Sequence, residues 1–259
     1  MHQPKTNKKL IIGNWKMNPQ SIAEAKKTFV QFKSEKHNTK NITTVICPPF
    51  VYLNELKRMY MGSKIFFGAQ DVFWKSEGSF TGEISVGMVT NLGARFVILG
   101  HSERRALGEN NQMVSQKAKI ALKEDLHTVI CVGEPDRDDH GRYISFIEEQ
   151  IHESLKGISK NSVKKLVIAY EPIWAIGKGK HPMNPHELHQ MSLFIRKTLI
   201  NIYGKKIGVE IPILYGGSVD SKNACELVYE GEVQGLLVGR ASLNPHEFSK
   251  IINAVASKK

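Results

Sequence analysis

Cysteine is scarce in this sequence: Cys47, Cys131 and Cys225 are an odd number, widely spaced, each beside apolar neighbours. They form neither a disulfide framework nor a CxxC metal pattern, which points to a reducing, cytoplasmic setting. The N-terminal stretch from Met1 to Lys9 is polar and basic, and the apolar run after it, Leu10-Ile11-Ile12, is too short for a secretory core or a membrane span. No export is expected. Ser/Gly linkers, long charge runs and close internal repeats are also missing, so one domain over residues 1–259 is expected. Basic residues carry a net charge of +11 but come as scattered pairs, such as Lys26-Lys27, Lys205-Lys206 and Lys258-Lys259. Without an Arg-rich or aromatic-interleaved block, neither nucleic acid nor a membrane surface is expected as a partner.

What is present is an ordinary globular composition, 41% hydrophobic and 24% charged. Eight short apolar runs stand out: 10–12, 44–46, 65–67, 96–99, 129–132, 166–169, 211–214 and 236–238. They are continuous, not alternating, as parallel strands covered on both faces are. Between them lie helical patterns, such as Ile22 to Phe32 and Leu188 to Tyr203. Asn184-Pro185 and Asn244-Pro245 act as start signals, since proline suits the first helical position. The alternation predicts an α/β fold, either a doubly wound open sheet or a closed barrel. No Gly-x-Gly-x-x-Gly follows the first strand, which favours the barrel: a single-domain (β/α)8 TIM barrel, eight parallel strands with outer helices.

Active sites of such barrels lie at the C-terminal strand ends. Five ends carry polar or glycine-rich segments: Gly13-Asn14-Trp15-Lys16, Gly100-His101-Ser102-Glu103-Arg104, Tyr170-Glu171-Pro172, Tyr215-Gly216-Gly217-Ser218 and Gly239-Arg240-Ala241-Ser242. Singly, each has a plain structural explanation; jointly they converge on one mouth. Gly216-Gly217-Ser218, with a helix expected to begin near Asp220 or Ser221, leaves backbone N–H groups for a phosphate, and a second set follows Gly239. The apolar segment 172–180, with a proline at one end and glycines at the other, reads as a closing lid or as a loop buried against a partner chain.

These segments, above all Asn14-Trp15-Lys16, Gly100-His101-Ser102-Glu103-Arg104-Arg105, Tyr170-Glu171-Pro172-Ile173-Trp174-Ala175-Ile176-Gly177 and Tyr215-Gly216-Gly217-Ser218, resemble the triosephosphate isomerase family. The resemblance runs from the first strand to Leu243. It implies interconversion of dihydroxyacetone phosphate and glyceraldehyde 3-phosphate, in glycolysis and gluconeogenesis, without a metal or organic cofactor. By the match Glu171 is the base, and His101 polarises the carbonyl as a neutral imidazole, a feature for which this family is a standard example. Lys16 stabilises the oxyanion and Asn14 orients the substrate oxygen. Gly177, Ser218, Gly239 and Arg240 bind the phosphate, with Glu103 beside Lys16 and Ser102 beside Glu171. The lid shields an enediolate that would otherwise lose phosphate, a gating motion this family also exemplifies. A homodimer is implied through the loop 70–83.

Three positions depart from the family pattern. Arg240 stands where a second glycine is usual, Lys178 where a small hydroxyl residue is commoner, and Asp71 where asparagine is frequent. A phosphate contact through the N–H of residue 240 survives arginine provided the backbone there does not need a positive φ. Other phosphate-binding barrels, such as a ribulose-phosphate epimerase, share the phosphate loops but not the His101 and Glu171 segments. A binding protein built on an inactive barrel is disfavoured by the intact Asn14, Lys16, His101 and Glu171 set.

Overall fold

Each apolar run forms a strand because it is buried on both sides. In the computed structural model, which describes residues 8–38, 40–177 and 183–257, the strands are β1 (Lys9–Asn14), β2 (Ile42–Cys47), β3 (Ile65–Ala69), β4 (Phe96–Leu99), β5 (His127–Val132), β6 (Leu166–Tyr170), β7 (Ile213–Tyr215) and β8 (Gly235–Val238). All pairs are parallel, and β8 pairs with β1 to close the barrel in strand order. Alternate residues face opposite ways along a strand. One set, including Leu10, Ile12, Val45, Ile98, Val129, Val167, Ala169 and Leu237, fills the barrel interior. The other, including Ile11, Ile46, Val97, Ile130, Ile168, Tyr170 and Tyr215, packs against the helices.

The helices form where capping and periodicity agree. Ser21 accepts the Glu24 N–H at 3.2 Å, opening Ile22–Ser34, whose Ala25, Phe29 and Phe32 are buried on one stripe. Asn184 caps Pro185–Tyr203 through the His186 N–H at 2.8 Å, and Asn244 caps Pro245–Ala256 through the Glu247 N–H at 3.1 Å.

Two elements begin later than expected. β7 begins at Ile213 rather than Ile211, because Pro212 has no N–H for a ladder, although its carbonyl still accepts the Ile168 N–H at 2.9 Å. The helix after β7 begins at Ala224, not near Asp220. The Asp220 carboxylate takes the N–H groups of Lys222 and Asn223 at 2.8 and 3.0 Å, which holds those residues in a turn. No helix of the described residues is long and apolar enough to cross a membrane. The N-terminal residues 1–7 and the Lys258-Lys259 pair lie outside the described residues.

Candidate active site

Strand parity sets up the site. Leu10 and Ile12 point into the barrel, so Asn14, two residues on, also points inward at the C-terminal rim; Ala169 does the same for Glu171. Asn14 is 5% exposed and Glu171 2%. The Asn14 side-chain oxygen accepts the Lys16 N–H at 3.0 Å and so folds the chain back after β1. Lys16 sits at φ +53°, a strained conformation for a residue with a Cβ. Gln70 stabilises it from the loop after β3, its amide donating to the carbonyls of Lys16 and Cys47, both at 2.9 Å. The Lys16 ammonium lies 2.7 Å from Glu103 Oε1.

His101 begins the short helix Ser102–Ala106, and its Nδ1 accepts the Glu103 N–H at 3.2 Å. An accepting Nδ1 carries no hydrogen, so this pattern assigns the ring as neutral with its hydrogen on Nε2. That Nε2 is 3.2 Å from Glu171 Oε1, while the Ser102 N–H donates to Glu171 Oε2, also at 3.2 Å. One carboxylate oxygen is therefore held by a backbone donor, and the other lies against the imidazole. The seat of Glu171 tolerates only glycine around it. A Cβ on Gly216 would lie 2.7 Å from Glu171 Cγ, and one on Gly133 would collide with the Glu171 carbonyl.

Behind His101 lies a charge cluster. Glu109 accepts the Gly100 N–H at 3.0 Å and pairs with the buried Lys117 ammonium, which also meets both Asp71 oxygens at 2.8 Å. Arg104 reaches Asp71 at 3.0 Å. Arg105 donates to the Gly100 carbonyl at 2.7 Å, to Asn111 at 2.7 Å and to the Cys131 carbonyl at 3.2 Å. The turn that presents His101 is thus fixed from both its N–H and its carbonyl.

These groups open onto one cavity of about 610 Å3, lined by Asn14, Lys16, His101, Glu103, Glu171, Gly177, Ser218, Gly239 and Arg240 among others. Nearly every site residue expected from the sequence borders it. Ser102 meets it through its N–H to Glu171. Gly216 N–H is taken by the Tyr170 carbonyl at 2.8 Å, but those of Gly217 and Ser218 have no partner among the described residues. Arg240 is absent from the positive-φ residues, so arginine is accommodated there without backbone strain. A second cavity of about 470 Å3, around Lys33, His37 and Lys64, lies at the N-terminal end of the strands, away from Glu171 and His101.

The segment expected to act as a lid is described from Pro172 to Gly177; Lys178, Gly179 and Lys180 lie outside the described residues. Its first part is the tight turn Ile173–Ala175. Trp174 Nε1 donates to Glu134 Oε1 at 2.8 Å, and the same oxygen accepts from Tyr170 at 2.9 Å and Arg137 at 3.1 Å. Burial pushes the Tyr170 phenol up, which keeps it a donor to this carboxylate. Arg137 also lies over the Trp174 ring, 5.0 Å from its centroid. The segment around Trp174 is therefore held from the end of β5, by residues the sequence alone does not single out. Gly133-Glu134-Pro135, a charged residue between turn formers at a strand end, is the signal that could have found them.

Residues 9–255 match the family model described as triosephosphate isomerase. The chain belongs to the triosephosphate isomerase family. It is 40% identical over 246 residues to the triosephosphate isomerase of Thermoanaerobacter pseudethanolicus, covering 94% of this chain and 98% of that protein. To that of Alkaliphilus oremlandii it is 40% identical over 248 residues, covering 95% and 99%, and to that of Dehalococcoides mccartyi 41% over 249 residues, covering 95% and 96%. As a triosephosphate isomerase family member the chain is an isomerase, and its substrates are dihydroxyacetone phosphate and glyceraldehyde 3-phosphate.

Proposed function

We propose that Glu171 is the base that moves a proton between the two substrate carbons through an enediolate. The observation that carries this reading is the contact between Glu171 and the Nε2–H of a neutral His101, beside Lys16 in the same cavity. Abstraction of a proton next to a carbonyl develops negative charge on oxygen, so a base must face a set of donors. Substrate entry replaces the Glu171 oxygen at His101 Nε2 with the substrate carbonyl, which frees the carboxylate to face carbon. His101 then polarises that oxygen and moves protons between the two oxygens. Lys16 adds positive charge at the oxyanion, and Asn14 orients it.

The phosphate is held by the N–H groups of Gly177, Ser218, Gly239 and Arg240, and the lid closes over it to exclude water. Closure requires Trp174 to leave Glu134 or carry it along. Glu103 positions Lys16, and the Ser102 N–H holds Glu171 until substrate arrives. No metal or organic cofactor takes part in the scheme. The place of this reaction is the glycolytic and gluconeogenic interconversion of triose phosphates, in the cytoplasm, by one domain spanning 1–259. An assay on the purified protein is expected to show turnover of triose phosphates and none of pentose phosphates; turnover of ribulose 5-phosphate alone would overturn the reading.

The same reading includes a homodimer through the loop 70–83. In support, residues 75–83 are exposed in the single chain, Phe80 is 40% exposed beside Phe73, and Met17, next to Lys16, is 83% exposed. Apolar groups clustered at a protruding loop mark an interaction surface. Gln70 joins that loop to the Lys16 carbonyl, so loss of the partner is expected to loosen the strained Lys16 turn. Specific activity should fall as dilution converts dimer to monomer in sedimentation; a fully active monomer would refute it.

A further inference from the structure

We infer that the Arg240 side chain, not only its N–H, is a specificity determinant for the phosphate of the substrate, an inference that rests on the isomerase reading. The charges around the cavity motivate it. Among its described lining residues, Lys16 and Arg240 are the cations, against Glu103, Glu171 and Glu247. Lys16 is already paired with Glu103 at 2.7 Å. Glu171 is buried against a neutral imidazole, and among the described residues Glu247 accepts only the Ser221 N–H, at 2.7 Å. A phosphomonoester dianion thus enters a cavity with more carboxylates than cations. Arg240 is exposed and has no ion pair or hydrogen bond among the described residues, so its guanidinium is the cation left over for the ligand.

Its location suits that role. A Cβ on Gly239 would lie 3.3 Å from Lys16 Cε, so Arg240 follows directly on the residue that packs against the Lys16 side chain. The turn Arg240–Leu243 is tied down by Ser242, whose hydroxyl donates to the Gly239 carbonyl at 2.7 Å and reaches the Asn14 carbonyl at 3.4 Å. The arginine therefore projects from a backbone anchored to β1. A planar guanidinium matches two phosphate oxygens, which a lysine does not.

The test compares wild type with R240Q and R240K. In R240Q, KM for glyceraldehyde 3-phosphate and the inhibition constant of inorganic phosphate are both expected to rise roughly five- to tenfold, with kcat changed by less than about twofold. R240K should recover part of that loss, and turnover of unphosphorylated glyceraldehyde should not change. An R240Q enzyme with wild-type KM and phosphate inhibition would overturn the proposal, as would an equal loss with unphosphorylated glyceraldehyde. A wild type inert toward triose phosphate would instead sink the isomerase reading. Calorimetric titration with inorganic phosphate would still decide the role of Arg240, through a weaker affinity in R240Q or an unchanged one.

Discussion

Glu171→Gln is expected to lower kcat by roughly 10^3- to 10^4-fold while KM for triose phosphate moves only a few-fold, the signature of losing a general base and little else. Glutamine keeps the shape that Gly133 and Gly216 demand around this side chain. What it loses is the ability to take a proton. It also changes the polar contacts, because Glu171 accepts the Ser102 N–H through one oxygen and sets the other 3.2 Å from His101 Nε2, and an amide has only one accepting oxygen. His101 cannot relieve this by switching tautomer while its Nδ1 accepts the Glu103 N–H. One donor then faces the amide NH2, at a cost in stability of about 1–3 kcal/mol. Glu171→Asp supplies the complementary arm. It keeps the base but withdraws it from the substrate carbon, and a misplacement of about 1 Å costs on the order of 10^2-fold. Steady-state kinetics and deuterium uptake from solvent into the substrate carbon check both. Turnover by Glu171→Gln equal to wild type would remove Glu171 from the chemistry.

The barrel was legible because burial on both faces of a parallel sheet leaves unbroken apolar runs, and because Asn14, His101 and Glu171 follow those runs directly. The strand end also told which way Asn14 and Glu171 point, once parity along β1 and β6 is counted. The residues that hold them were harder to see. Gln70 supports Lys16 from 54 residues away, and Glu134 receives Trp174 from 40, so only the closed barrel brings them together. Lys117 did leave a signal. It lies between Val114, Ala118 and Ala121 on the buried stripe of the helix Asn111–Lys123, where a lysine has no reason to be unless a carboxylate waits for it. Local chemistry overrode pattern at Asp220 and Pro212, where a side-chain cap and a missing N–H moved the boundaries.

Lys117→Met is expected to destabilise the fold by about 3–5 kcal/mol, since it leaves the carboxylates of Glu109 and Asp71 without the buried cation between them. Methionine preserves the volume of the stem, so the loss reports charge and not a cavity. Activity should fall with it. Glu109 holds the N–H of Gly100, and relaxation of that contact shifts His101. Asp71 makes the effect depend on pH. Burial raises its carboxyl above the ordinary 3.8, opposed by Lys117 and reinforced by Glu109. A carboxylate that binds its proton more tightly folded than unfolded weakens the fold as pH rises from its unfolded value through its folded one. Asp71→Asn is therefore expected to gain stability over wild type at neutral pH, and the gain should vanish as pH falls below about 3.8. In Lys117→Met the same slope should steepen, because Lys117, the larger of the two cationic influences that hold the carboxyl down, is gone and only Arg104 remains. Urea unfolding from about pH 3 to 7 at one fixed protomer concentration measures all three proteins. A Lys117→Met protein as stable as wild type, or Asp71→Asn and wild-type curves that run parallel with pH, would show that this cluster does not carry the charge of the His101 turn.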